Sequence, residues 1–166
     1  YLALDDNTTG ASNTAVGFQA LDANTTASNN VAMGYGALGA NTTGHSNVAL
    51  GAYAGGANTT GNYNITIGRD AGNDITTGGN NLAIGGYALD AATTASNNTA
   101  LGYGSLGANT SGSENIAVGG GALEANTTAA SNTAVYEEGR YKVIDIRNEA
   151  PLFIKTDYEQ YGEDQL

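Results

Sequence analysis

Asn13, Asn30, Asn47, Asn64, Asn81, Asn98, Asn115 and Asn132 recur at every seventeenth position without exception. Four places after each of the first seven comes a glycine: Gly17, Gly34, Gly51, Gly68, Gly85, Gly102 and Gly119. The eighth unit departs, with Tyr136 in that place. No insertion or deletion interrupts the series. A period held this strictly is the mark of stacked structural units that bury their apolar faces on one another.

The period is too short for helix-pair repeats of about 33 residues or more, and Gly and Asn at this density are poor helix formers. Before each glycine sits an aliphatic residue: Val16, Met33, Leu50, Ile67, Ile84, Leu101, Val118 and Val135. Two places earlier runs a β-favouring column of Thr14, Val31, Val48, Ile65, Leu82, Thr99, Ile116 and Thr133, with a small residue between, usually Ala. Strand alternation puts the two larger residues on one face and the Ala on the other. The pattern predicts an all-β, parallel β-solenoid with 17-residue rungs, rising about 4.8 Å per rung to a rod of about 40 Å. Gly supplies the positive-φ corner. Asn tolerates the same region, and its amide can bond to the Asn above and below.

The second half of the unit has an Ala column (Ala20, Ala37, Ala54, Ala71, Ala88 and Ala122, with Ser105), then Leu21, Leu38, Leu89, Leu106 and Leu123, then a polar stretch such as Asn41-Thr42-Thr43-Gly44. Residues 1–10 fit this half in register. The chain therefore starts mid-unit, and with Tyr1 rather than Met it reads as a fragment or a processed product. Its apolar content is largely Ala, with two Phe and no Trp. Each rung offers only two or three sizeable apolar side chains, too few for both an inner core and an outer wall. The aliphatic ladder is therefore expected to pack against sister chains, most simply around a threefold axis.

Sixteen acidic against five basic residues, net charge −11, disfavour nucleic acid and anionic membrane surfaces as partners. Without Cys there is no disulfide framework. No apolar run approaches the roughly 20 residues of a spanning helix, so membrane insertion is not expected.

Units such as Asn30-Val31-Ala32-Met33-Gly34-Tyr35-Gly36-Ala37-Leu38 followed by Asn41-Thr42-Thr43-Gly44 resemble repeats of bacterial trimeric autotransporter-like adhesins and phage tail fibres, over about residues 1 to 135. The resemblance implies a parallel left-handed β-roll trimer, extracellular, on a cell surface or on a virion, serving as stalk or adhesive head.

The repeat region, 1–135, gives way to a different segment, 136–166. The repeat carries one basic and eight acidic residues and the tail four and eight. Tyr141 to Ile146 alternates as a strand, Leu152 to Ile154 is a second apolar run, and Asn148 to Pro151 reads as a turn between them. The tail is read either as a capping hairpin or as a strand that joins molecules end to end.

No catalytic constellation or cofactor motif stands out, and an enzyme ranks last among the readings. His45, the one histidine, reads as a solvated loop residue. Asp5, Asp22, Asp90 and Glu124 share a column interrupted by Gly39, Gly56 and Gly107, and read as a solvated edge rather than a cation site. Phe18, Tyr35 and Tyr103 occupy one column after the glycine, and Tyr53 and Tyr87 the next. They are either a sugar-stacking strip or rings that cover the corner or pack between chains. Unit four departs most, with Arg69, Asp70, Gly72 and Ile75, which reads as drift, a bend or a ligand notch. Asn7, Asn24, Asn41, Asn58, Asn109 and Asn126 match the Asn-x-Ser/Thr acceptor pattern, with Asn64 and Asn97 in similar contexts. Turn chemistry explains the motif without a glycan and is the preferred reading. Two rivals to the adhesive fibre remain. One is an ice-binding array built on the Thr pairs, of which strand alternation lets only one member take part. The other is a filament polymerised through the tail.

Overall fold

The computed structural model describes residues 3–137 and 140–143. It is all-β, with no helix among the described residues. Eight parallel strands stack in chain order: β1 (Thr14–Val16), β2 (Val31–Met33), β3 (Val48–Leu50), β4 (Ile65–Ile67), β5 (Leu82–Ile84), β6 (Thr99–Leu101), β7 (Ile116–Val118) and β8 (Thr133–Glu137). A ninth, β9 (Arg140–Val143), pairs antiparallel with β8. The pairing joins equivalent positions of successive units, as in Val31 with Val48 and Met33 with Leu50. The chain is a β-solenoid in which identical columns lie over one another.

Alternation holds as expected. The middle residues Ala32, Ala49, Ala83, Ala100, Ala117 and Ala134 are buried, while the flanking aliphatics face outward, with Val16 52% and Met33 49% exposed. Inside, the Ala columns leave room for one larger side chain per rung. Leu21, Leu38, Leu89 and Leu106 fill it, completely buried.

Closing so short a rung needs more than the glycine corner. Gly17 and its successors take φ between 111° and 141°, and a Cβ on Gly51 would stand 2.6 Å from the Gly68 carbonyl oxygen of the next rung. Three further columns are also left-handed, and most of their residues are not glycine: the Leu21 column, the column of Gln19, Tyr53, Asp70 and Tyr87, and the Ser12, Asn29, Ser46 column. The left-handed region costs an L-residue about 1–2 kcal/mol. Burying a Leu returns about 1.5–3 kcal/mol, so the Leu corner is held by its own burial. The Asn13 column is not left-handed; the residue before it is.

Two asparagine ladders hold the rungs in line. In the Asn13 ladder, the backbone N–H of Asn30 donates to Asn13 Oδ1 at 2.9 Å, and Asn30 Nδ2 donates to the Gly44 carbonyl at 2.9 Å. The same pair of bonds recurs at Asn47, Asn64, Asn81, Asn98 and Asn115. Direct amide-to-amide bonds occur in this ladder too, Asn81 donating to Asn64 at 3.1 Å, Asn98 to Asn81 at 3.2 Å and Asn132 to Asn115 at 3.0 Å. They also occur in a second ladder, where Asn24 donates to Asn7 at 2.8 Å, Asn41 to Asn24 at 3.1 Å and Asn58 to Asn41 at 2.9 Å. Apart from Asn58 Oδ1, the buried ladder amides thereby avoid the cost, about 1–3 kcal/mol, of an unpaired polar group.

In unit four the core is exchanged. Gly55 and Gly72 vacate the Leu column, and Thr66 and Ile75 replace the usual Ala and Asn. A Cβ on Gly72 would meet Thr66 Cγ2 at 2.7 Å and Ile75 Cδ1 at 2.8 Å, so these two side chains occupy the missing leucine's space. Ile75 and then Ala92 interrupt the amide ladder, which resumes between Asn109 and Asn126, and Asn58 Oδ1 is left buried without a partner.

The last rung explains the change at residue 136. With Tyr136 in the glycine's place, the corner is not made, the ring packs on the core, and β8 runs on to Glu137. Of the strand expected over 141–146, residues 141–143 lie in β9 and 144–146 lie outside the described residues; the partner of β9 is β8, so the edge of the final rung is covered. The turn at 148–151 and the run at 152–154 lie outside the described residues.

Candidate functional site

Two surfaces carry chemistry. The first is the outer face of the sheet, where the columns headed by Thr14 and Val16 present aliphatic or Thr side chains on all eight rungs. Thr14, Val16, Met33, Ile65, Leu101, Ile116 and Val135 are exposed and the others half-buried.

The second surface is the corner after the glycine column. Phe18 stacks on Tyr35, with centroids 5.3 Å apart and 21° between planes, and Tyr35 meets Tyr53 edge to face at 5.1 Å. Further along, Arg69 lies over the Tyr87 ring at 5.8 Å and Tyr87 meets Tyr103 at 5.7 Å and 74°. A glycine makes room for one ring, since a Cβ on Gly36 would stand 3.0 Å from the Tyr53 ring. The rings thus lean on one another along the axis while staying open to solvent, Tyr103 at 68% exposure. A side-chain hydrogen bond with Tyr35 raises the Tyr53 hydroxyl above its ordinary value.

Carboxylates flank this strip. Asp90 and Glu124 line a groove of about 380 Å³ with Tyr87, Tyr103, Gly104 and Gly107. Asp22 lines a second, of about 440 Å³, with Gln19, Tyr53 and Asn73. Burial, then the like charges of Asp74 and Asp70, raise the Asp90 carboxyl above its ordinary value. Its Oδ1 is buried with no hydrogen-bond partner. The acidic column is therefore solvated at Asp5 and Glu124 but half-buried at Asp22 and Asp90. Among the described residues no three carboxylates or histidines meet as metal ligands would.

Other expected positions are altered by the fold. His45 is half-buried, with its ring edge to face against Tyr63 at 5.1 Å and Nδ1 3.3 Å from Ser46 Oγ. This corner pair was invisible in the sequence because neither residue belongs to a repeated aromatic column. Of the acceptor asparagines, Asn24, Asn41, Asn58 and Asn109 are buried. Their Nδ2 atoms, like those of Asn7 and Asn126, donate to carbonyls or to neighbouring amides. Asn64 is likewise buried and bonded, and Asn97 is exposed. A glycan on a buried amide would displace the ladder, so the folded rung speaks for turn chemistry at those four sites. The first Thr of each pair donates to the next rung, as Thr8 Oγ1 does to the Thr25 carbonyl at 2.8 Å. The second, the column of Thr9, Thr26, Thr43, Thr60, Thr77 and Thr94, is exposed on every one of these rungs, in single file.

No family model, no curated protein and no solved structure matches the chain.

Proposed function

We propose that this chain is the surface-presenting part of an extracellular fibre, assembled as a homotrimer through the outer faces of its sheets. The carrying observation is the aliphatic strip. It crosses seven inter-rung steps of about 4.8 Å, about 34 Å in all, and a contiguous exposed apolar strip of that extent marks an interaction surface. A second copy of the same strip matches it rung for rung because both carry the same repeat. A threefold arrangement closes the contact, whereas an open one would leave apolar edges to aggregate. The likeness of the repeat to trimeric adhesins and tail fibres points the same way, as does an acidic, cysteine-free composition. β9, lying on the last sheet edge, supports a cap over a polymerising strand.

Sedimentation equilibrium tests this directly. The expected mass is three times the 16.6 kDa of one chain. Met33→Asp with Leu101→Asp, both at exposed positions, is expected to give folded monomers. A parent that stays monomeric at tens of micromolar would refute the proposal.

A further inference from the structure

The aromatic corner has a feature that self-association does not use: in two places a tyrosine wall, a glycine floor and a side-chain hydrogen-bonding group meet in an open groove. In the first, Tyr87 and Tyr103 stand beside Asp90 and Glu124 over Gly104 and Gly107. In the second, Tyr53 stands beside Asp22, Gln19 and Asn73. Both lie on one corner of the rod, a few rungs apart, so one extended ligand running parallel to the axis would meet them in turn.

We infer that this corner binds a neutral saccharide chain. A pyranose ring has an apolar C–H face and an equatorial rim of hydroxyls. The exposed face of Tyr103 is a platform for the first, and a carboxylate is a strong acceptor for the second. The exposed Glu124 carboxylate is the acceptor open to a ligand, whereas Asp90 Oδ1, though without a partner, is buried. Charge decides between classes of glycan. The repeat region carries eight acidic residues and one basic, which repels uronic and sialic acids and leaves hexose polymers. A quaternary ammonium, the other ligand suited to rings and carboxylates, needs several ring faces around it. Tyr87 and Tyr103 meet edge to face at 74°, which leaves a platform and not a cage.

The inference names a ligand for the presenting role proposed above, but it stands on the corner and not on the trimer contact. It is therefore tested on both the parent and the Met33→Asp/Leu101→Asp chain, so that loss of assembly and loss of binding are read separately. The probe is an array of neutral hexose oligomers, sialylated and uronic oligomers, and phosphocholine, followed by titration of bound members by calorimetry. Neutral oligomers are expected to bind, with longer ones tighter because they reach both grooves. Tyr103→Ala and Glu124→Gln should each weaken binding by about tenfold. Tyr103→Phe, which keeps the ring face, should retain it, and Tyr63→Ala, on another corner, should change nothing. Three results would overturn the inference: no neutral oligomer bound, binding that survives Tyr103→Ala in a chain that melts like the parent, or preference for the acidic oligomers or phosphocholine.

Discussion

At the residue scale, backbone conformation and charge are set by the rung and not by local preference. Gly51→Ala introduces a Cβ where φ is 134° and the next rung's carbonyl is 2.6 Å away. It is expected to cost about 2–4 kcal/mol in chemical denaturation, more than an ordinary surface substitution. That column was legible, since a glycine recurring at the same place in unit after unit announces a special φ. The left-handed leucines were not, because Leu carries no such signature and only burial in the finished rod holds it there. Asp90 gives a pH test. Its carboxyl takes a proton more readily in the fold than in the unfolded chain, so the stability linked to it is full below the unfolded value near 3.8 and is lost as pH rises through the higher folded value. Asp90→Asn should therefore melt no lower than the parent at neutral pH and show a flatter dependence of Tm on pH. A variant that melts lower at neutral pH would contradict this.

Strand, corner and turn columns could be read from spacing alone at the scale of the element, and unit four was visible as a departure. What the departures do for one another was hidden, because Gly72, Ile75 and Thr66 lie on different sides of one rung and touch only after it closes. Gly72→Leu alone forces a side chain into space already held by Thr66 and Ile75, with an expected loss of about 1–3 kcal/mol. Adding Ile75→Asn and Thr66→Ala rebuilds an ordinary rung and should recover most of that loss. Thermal or urea melts of the single and triple variants measure the coupling. Losses that simply add would show that the three positions are independent.

For the whole molecule, the buried apolar residues form two groups, one over Ala20 to Ala54 and one over Ala71 to Ala122, parted where Gly55 vacates the leucine column and Thr66 takes an alanine's place. In a stacked array stability is nearly a sum of rungs and their contacts, so damage stays local when contacts weaken. Leu38→Ala, worth about 2–5 kcal/mol, should lower amide protection in the first group more than in the second by hydrogen exchange. Equal loss along the rod would mean a single cooperative unit. The aromatic columns that flank the candidate groove were plain in the sequence. The groove itself was not, since its floor and walls come from glycines, rings and carboxylates of adjacent rungs.

Each rung spends its whole circuit of chain to advance about 4.8 Å. The same stretch wound as a helix would advance about 25 Å. A chain selected for distance would be a coiled coil. This one covers its length slowly and gains a broad, stiff wall on which every side chain is repeated at fixed intervals, the geometry suited to holding a long polymer at many points at once.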